Sequence, residues 1–127
     1  MSRITTVAAA QMGPIEKDEP RQSTVARMIL MMRQAKGRGA DLIVYPELAL
    51  TTFFPRYWME NEADVDAFFE KEMPSPATQP LFDEAAKLGV GFNLGYAELT
   101  EENGRIRHFN TAIIVDREGK IAGKYRK

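Results

Sequence analysis

Residues 41–55 read DLIVYPELALTTFFP. The run Leu42–Tyr45 is apolar almost without interruption, too short for a buried helix and rich in β-branched and aromatic residues. That pattern predicts a strand covered on both faces, the kind found in parallel sheets. Pro46 follows at once; with no N–H and a fixed φ, it ends ladder pairing and sets the direction in which the chain leaves. Upstream, Val25, Met28, Ile29 and Met32 fall at i, i+3, i+4 and i+7, one face of an amphipathic helix over Arg21 to Lys36. Gly37 and Gly39 are its stop signals. Before that helix, ITTVAAA at 4–10 reads as a second buried strand, closed by Gly13 and Pro14. Residues 4–45 therefore predict a strand–helix–strand unit with parallel strands.

Downstream, residues 48–60 read as a loop or short turns, and ADVDAFFE at 63–70 as a short helix. LFDEAAKLG at 81–89 is the body of another helix with Gly89 as its C-cap, and VGFNLGYAEL at 90–99 is the next strand. Its glycines serve close packing, since the segment lacks a phosphate-loop lysine. Asn103-Gly104 is a hairpin-turn signal, followed by a strand from about Phe109 to Val115, a turn at DREGK and an extended tail, IAGKYRK. No repeat, linker or domain boundary interrupts the chain, so residues 1–127 are read as part of one α/β domain. Because the chain reaches Lys127 still reading as a strand, a piece of a longer protein is expected.

Composition narrows the function classes. The 127 residues are 44% hydrophobic and carry 17 Lys plus Arg against 18 Asp plus Glu, a net charge of −1. Nothing in that balance draws the protein to nucleic acid or an anionic membrane. No run of about 18 apolar residues marks a membrane span, and the N-terminus lacks the apolar core of a secretion signal. A cytoplasmic location is expected. With no cysteine and a single histidine, His108, the chain holds no disulfide and offers little for a zinc site. No metal and no cofactor are expected, and His108 is expected to be solvated beside its turn.

Two side chains stand out. Glu47 sits just past the carboxyl end of a predicted parallel strand, where ligands bind in open α/β sheets. Walled by Leu48, Leu50, Phe53 and Phe54, its carboxyl would be partly desolvated, its pKa raised and its strength as a base increased. A solvent-facing loop glutamate fits the same spacing. At the other end, strict alternation puts Ile121, Gly123, Tyr125 and Lys127 on one face and Lys120, Ala122, Lys124 and Arg126 on the other. The second set reads as the wet face, which leaves Lys127 on the inward one, either as a functional amine or as a lysine frayed into water. Asn110, between these regions, is placed to hydrogen-bond a neighbouring loop.

Three segments then carry a resemblance: YPELALTTFFPRYW at 45–58, GFNLGYAEL at 91–99 and RHFNTAIIVDREGKIAGKYRK at 107–127. Together they resemble the N-terminal part of N-carbamoyl-D-amino acid amidohydrolases, members of the nitrilase, or carbon–nitrogen hydrolase, superfamily. P-E at one strand end, N-T-A, and G-K-Y-R-K at another point to the superfamily, and T-T-F-F-P to the carbamoylase branch. The resemblance covers essentially the whole chain. It implies a four-layer α-β-β-α sandwich of which these residues supply about half, so that one sheet face would lie apolar and uncovered. It implies a Glu–Lys–Cys triad in which Glu47 matches the general base and Lys127 the catalytic lysine; the cysteine has no counterpart here. It further implies an N-carbamoyl amino acid substrate with Phe53 and Phe54 lining its pocket, and a homodimer or homotetramer. Another amidase or β-ureido acid hydrolase of the superfamily, or a non-catalytic binding module, are the competing expectations.

Overall fold

The computed structural model describes all 127 residues. Five strands form one sheet in sequence order: β1 (Val7–Ala9), β2 (Leu42–Val44), β3 (Gly91–Glu102), β4 (Arg105–Val115) and β5 (Ile121–Arg126). β1, β2 and β3 are parallel, whereas β3–β4 and β4–β5 are antiparallel. Two reversals bring β5 back to the direction of β2, so their carboxyl ends emerge at the same edge of the sheet. The helices are α1 (Arg21–Gly37), the single-turn α2 (Glu62–Asp66) and α3 (Gln79–Leu88), with a 3₁₀ turn at Phe54–Arg56.

Each parallel crossover is built by a helix whose apolar stripe was legible. On α1, Val25, Met28, Met32 and Ala35 are buried, and Ile29 is half-buried against the same core. On α3 the buried apolar residues are Leu81, Phe82 and Ala85. Gly89 ends α3 in the left-handed region at φ 65°, a conformation that costs glycine little. The Asn103-Gly104 hairpin has φ of 53° and 75°, the pair of positive values a type I′ turn requires.

Both long helices pack on the same face of the sheet. Register puts Ala8, Ile43, Phe92 and Val115 in one cross-strand row, with Leu94 and Ile113 in the next, and their side chains join those of α1 and α3 in a single core. Phe82 meets Phe92 edge-on with centroids 5.2 Å apart, and the Tyr45 hydroxyl donates to the Met28 carbonyl oxygen at 2.7 Å, fastening the end of β2 to α1. The alternate row, Val44, Asn93, Ile114 and Gly123, looks the other way. On that face Val7, Ile114 and Tyr125 are exposed. One side of the sheet is thus a closed helix–sheet layer pair; the other is open at Val7, Ile114 and Tyr125 and covered at Ala97 by Leu48, Phe54 and Phe68.

Two expectations are corrected. The first strand is shorter than 4–10, and Ile4 lies 88% exposed; β2 offers it only three residues of ladder, Leu42 to Val44. The face assignment along β5 holds for Gly123 and Tyr125 against Lys124 and Arg126 but fails for Ile121. A bulge between Ile114 and Val115 resets the register. Ile121 pairs with Val115, and Lys124 and Arg126 pair with Ile113 and Thr111, all on the helix-covered side. Lys124 and Arg126 remain partly exposed, at 38% and 35%, but are not free in water. They reach a buried carboxylate, Glu98.

Candidate functional site

Pro46 turns the chain out of β2, and the backbone keeps contact with β3 on either side of the turn: the Tyr45 N–H donates to the Asn93 carbonyl at 3.1 Å and the Ala49 N–H to that of Gly95 at 2.9 Å. Between them Leu48 takes φ 50°, an unusual value for a bulky side chain. Its side chain is buried against Phe54, Phe68 and Ala97, which holds the backbone there. The outcome is that Glu47 projects over the open face of the sheet.

There it meets Lys127, 80 positions away. The Lys127 Nζ donates to Glu47 Oε1, and the same oxygen accepts from the Asn110 side-chain amide at 2.7 Å. The Lys127 backbone N–H donates to the Asn110 carbonyl at 3.0 Å, so the amine and the amide arrive on paired strands in fixed register. Asn110 does bond a neighbouring loop, and the loop is the one bearing Glu47. Beside the pair lies a cavity of about 250 Å³ lined by Pro14, Ile15, Thr51, Phe53 and Arg56 as well as Glu47.

The electrostatics differ from the partly desolvated carboxyl expected for Glu47. The side chains of Glu47 and Lys127 are 49% and 59% exposed; the loop residues Leu48, Phe54 and Phe68 cover the same face at Ala97 but leave the pair itself half in water. The Glu47 carboxyl is pulled below its ordinary range, first by the hydrogen bond from Lys127, then by that from Asn110 and the charge of Lys127; desolvation opposes them weakly. Apolar neighbours do not tune Glu47 upward. An amine and an amide hold it as the anion.

Phe53 and Phe54 part company. Phe53 is 53% exposed on the cavity beside Glu47, whereas Phe54 is buried. Phe54 stacks on Phe68 with centroids 5.0 Å apart and tilts against Phe69 at 5.3 Å, so it supports the loop and does not line the pocket. His108 is not simply solvated: its Nε2 lies 2.5 Å from Asp66 Oδ1 and its ring meets Phe69 edge-on at 4.7 Å. Glu62, Asp66 and His108 offer three donor atoms within 4.8 Å of one another, but the direct Asp66–His108 contact accounts for that grouping without an ion.

The residues missed by sequence reasoning lie on the opposite face. Glu98 is buried, and its carboxylate accepts from Thr111 Oγ1 at 3.0 Å, from Arg126 Nε at 2.7 Å and Nη2 at 3.2 Å, and from Lys124 Nζ. Burial works to raise its pKa, yet the bonds from Arg126, Lys124 and Thr111 and the charge of Lys124 prevail, and it falls to about 2. The available signal was Glu98 itself, a charged residue inside the apolar run 90–99.

An acid–amine pair at the carboxyl ends of strands, on a sheet backed by helices, defines the class: α/β proteins that set their ligand-facing groups at the strand ends. The family follows from comparison. The model of the carbon–nitrogen hydrolase family matches residues 6–127, and the chain belongs to that family. A nitrilase of Pyrococcus abyssi is 32% identical over 124 residues, which cover 98% of this chain and 43% of that protein. An N-carbamoylputrescine amidase of Solanum lycopersicum is 30% identical over 129 residues, covering 99% of this chain and 39% of its own. Among solved structures, a carbon–nitrogen hydrolase from Helicobacter pylori G27 superposes with a TM-score of 0.75 at 22% identity, over 97% of this chain and 39% of that one. The chain thus spans about two-fifths of the length of these relatives. No helix is long and apolar enough to cross a membrane.

Proposed function

We propose that the complete protein hydrolyses the carbamoyl C–N bond of N-carbamoyl-D-amino acids, releasing the D-amino acid, ammonia and carbon dioxide. The observation that carries this reading is the convergence of Lys127 and Asn110 on one carboxylate oxygen of Glu47 beside a cavity at the strand ends. Glu47 is the base that takes the proton of a cysteine thiol supplied by the complete protein. The thiolate attacks the ureido carbonyl, and the Lys127 ammonium stabilises the oxyanion that forms. Ammonia leaves with the proton that Glu47 took, which gives a carbamoyl thioester; Glu47 then activates water, which breaks the C–S bond and returns the thiol, and the resulting carbamate loses carbon dioxide. The lowered pKa makes Glu47 a weaker base but keeps it unprotonated at neutral pH, and the ammonium offsets that loss by favouring thiolate over thiol.

Support for the ureido group comes from the N-carbamoylputrescine amidase among the relatives. Support for the D-amino acid comes from the T-T-F-F-P segment, whose Phe53 faces the cavity. The second reading is another amidase or nitrilase of the family, since a formamidase and nitrilases also match. Ammonia release from N-carbamoyl-D-phenylalanine, its L-isomer and N-carbamoylputrescine, measured on the complete protein, separates the two. Preferential release from the D-isomer is expected; equal or preferential turnover of the others selects the second reading. A homodimer or homotetramer, acting in the cytoplasm on a small-molecule substrate, completes the proposal.

A further inference from the structure

β5 is a six-residue edge strand with almost no apolar burial. Ile121 is 40% exposed and Tyr125 69%, so the hydrophobic pattern that normally fixes register is missing here. Register nonetheless decides the site. Arg126 and Lys127 are consecutive and point to opposite faces, as do Thr111 and Asn110 on β4, and Thr111 pairs directly with Arg126. A slip of one residue would carry Lys127 to the helix side and away from Glu47.

On that helix side one carboxylate holds both strands. Glu98, on β3, takes Thr111 from β4 and Lys124 and Arg126 from β5. Arg126 is also bound by Glu102 at 3.0 Å and lies over the Phe109 ring, 4.5 Å from its centroid. Lys124 and Arg126 are two apart, so both can reach Glu98 only in the observed register. The ion pairs grip β5 across the sheet from Lys127. Replacing a whole buried ion pair by apolar residues is often neutral, although neutralising one partner alone is costly, and the best-attested use of such groups is to select one register among several.

We propose that Glu98 is a positioning residue for the site: by clamping Thr111, Lys124 and Arg126 on the covered face it sets the register that delivers Asn110 and Lys127 to Glu47 on the open face. This rests on the reading of Lys127 as a working group of the reaction. Glu98 itself lies on the far face of the sheet and touches no reacting atom.

The test uses the complete protein with N-carbamoyl-D-phenylalanine, and follows the Glu47 carboxyl by ¹³C NMR titration as a readout that needs no turnover. Glu98→Gln keeps the shape and removes the charge. It is expected to lower kcat on the order of 10- to 100-fold, the cost of a displacement of about an ångström, with KM changed less than about threefold. The Glu47 titration moves up toward the ordinary carboxylate range as Lys127 withdraws. Arg126→Lys, which keeps the charge but not the fork, gives an intermediate loss. Glu84→Gln, which breaks the remote Arg33–Glu84 pair between α1 and α3, serves as the control for a merely structural ion pair and leaves both readouts at parent level. A parent-like Glu47 titration in a folded Glu98→Gln overturns the proposal, as does parent-like kcat where Lys127→Met is impaired. Should that variant not fold, Thr111→Val and Lys124→Met carry the same test, and parent-level kcat in both overturns it. Lys127→Met with parent activity instead refutes the function assigned to Lys127, while the Glu47 titration in Glu98→Gln still reports on the clamp.

Discussion

A Cβ built on Gly95 would stand 3.1 Å from the Cα of Glu47, 3.3 Å from the Leu48 nitrogen and 3.4 Å from the Pro46 oxygen. All three are backbone atoms, so no side chain can rotate aside. The glycine is what lets the loop lie flat on β3 and holds Glu47 over the sheet. Gly95→Ala is expected to cost about 1–3 kcal/mol in urea unfolding, the range for overpacking. Because the strain falls on Glu47, kcat/KM for amide hydrolysis should drop on the order of 100-fold. Gly89→Ala is the contrast. Its Cβ meets nothing within 4 Å but its φ is 65°, so it should lose about 1 kcal/mol and no activity. Equal activity in the two variants would remove Gly95 from the site.

Glu98 gives the fold an acid-sensitive contribution. Its pKa is lowered from 4.5 to about 2, so the folded form binds its proton less readily than the unfolded form. The resulting stability is present above pH 4.5 and is lost as pH falls through the folded value near 2. The side chain is 10% exposed, so solvent screening is limited, and the contribution is about 2–3 kcal/mol. Denaturation profiles between pH 6 and 2.5 should therefore be steeper for the parent than for Glu98→Gln, with the two curves converging at the acid end. Parallel curves would show that Glu98 is not charged and clamped in solution.

Phe53 and Phe54 are adjacent and chemically identical, yet they should respond differently. Phe54→Ala removes a ring stacked on Phe68 and packed on Phe69, and a loss of about 3–5 kcal/mol is expected. Phe53→Ala, on a half-exposed ring facing the cavity, should leave stability within about 0.5 kcal/mol and raise KM for an aromatic N-carbamoyl amino acid. A change in stability without a change in KM for Phe53→Ala would detach it from substrate.

That contrast shows where local sequence stops being informative. The α1 stripe, the DLIVY strand and the Gly89 and Asn103-Gly104 signals are decided by residues within a few positions of one another, and they appear in the structure as the periodicity predicts. Glu47 and Lys127 could be picked out because each sits at a strand end, and topology does bring them together. Their environment could not be read, since it depends on which sheet face the helices cover. The alternation along β5 misled because a bulge at Ile114/Val115, invisible in composition, moves Ile121 to the side of Lys124 and Arg126. Glu98 stayed hidden because its partners lie 13, 26 and 28 positions downstream.

Glu47→Gln is the sharpest separation of chemistry from structure. The amide oxygen of glutamine still accepts from Asn110 and Lys127, so the hydrogen-bonded arrangement survives. The wild-type pair is half-exposed, and such pairs contribute at most about 1 kcal/mol, so the unfolding midpoint should move little. What disappears is the ability to take a proton from a thiol or a water, worth on the order of 10²–10⁴ in rate. Turnover of N-carbamoyl-D-phenylalanine by the complete protein should fall by that factor while substrate binding, followed by calorimetry, stays within a few-fold. The pH profile adds a second signature. Since Lys127 and Asn110 hold the Glu47 carboxyl below its ordinary 4.5, its base form persists through mildly acidic pH, and the acid limb of kcat/KM due to Glu47 should lie below that value. In Glu47→Gln this limb should vanish from whatever residual rate remains. Activity within a few-fold of the parent, or an acid limb unchanged by the substitution, would take the proton-transfer role away from Glu47 and leave the Glu47–Lys127 contact as a brace between the β2 loop and β5.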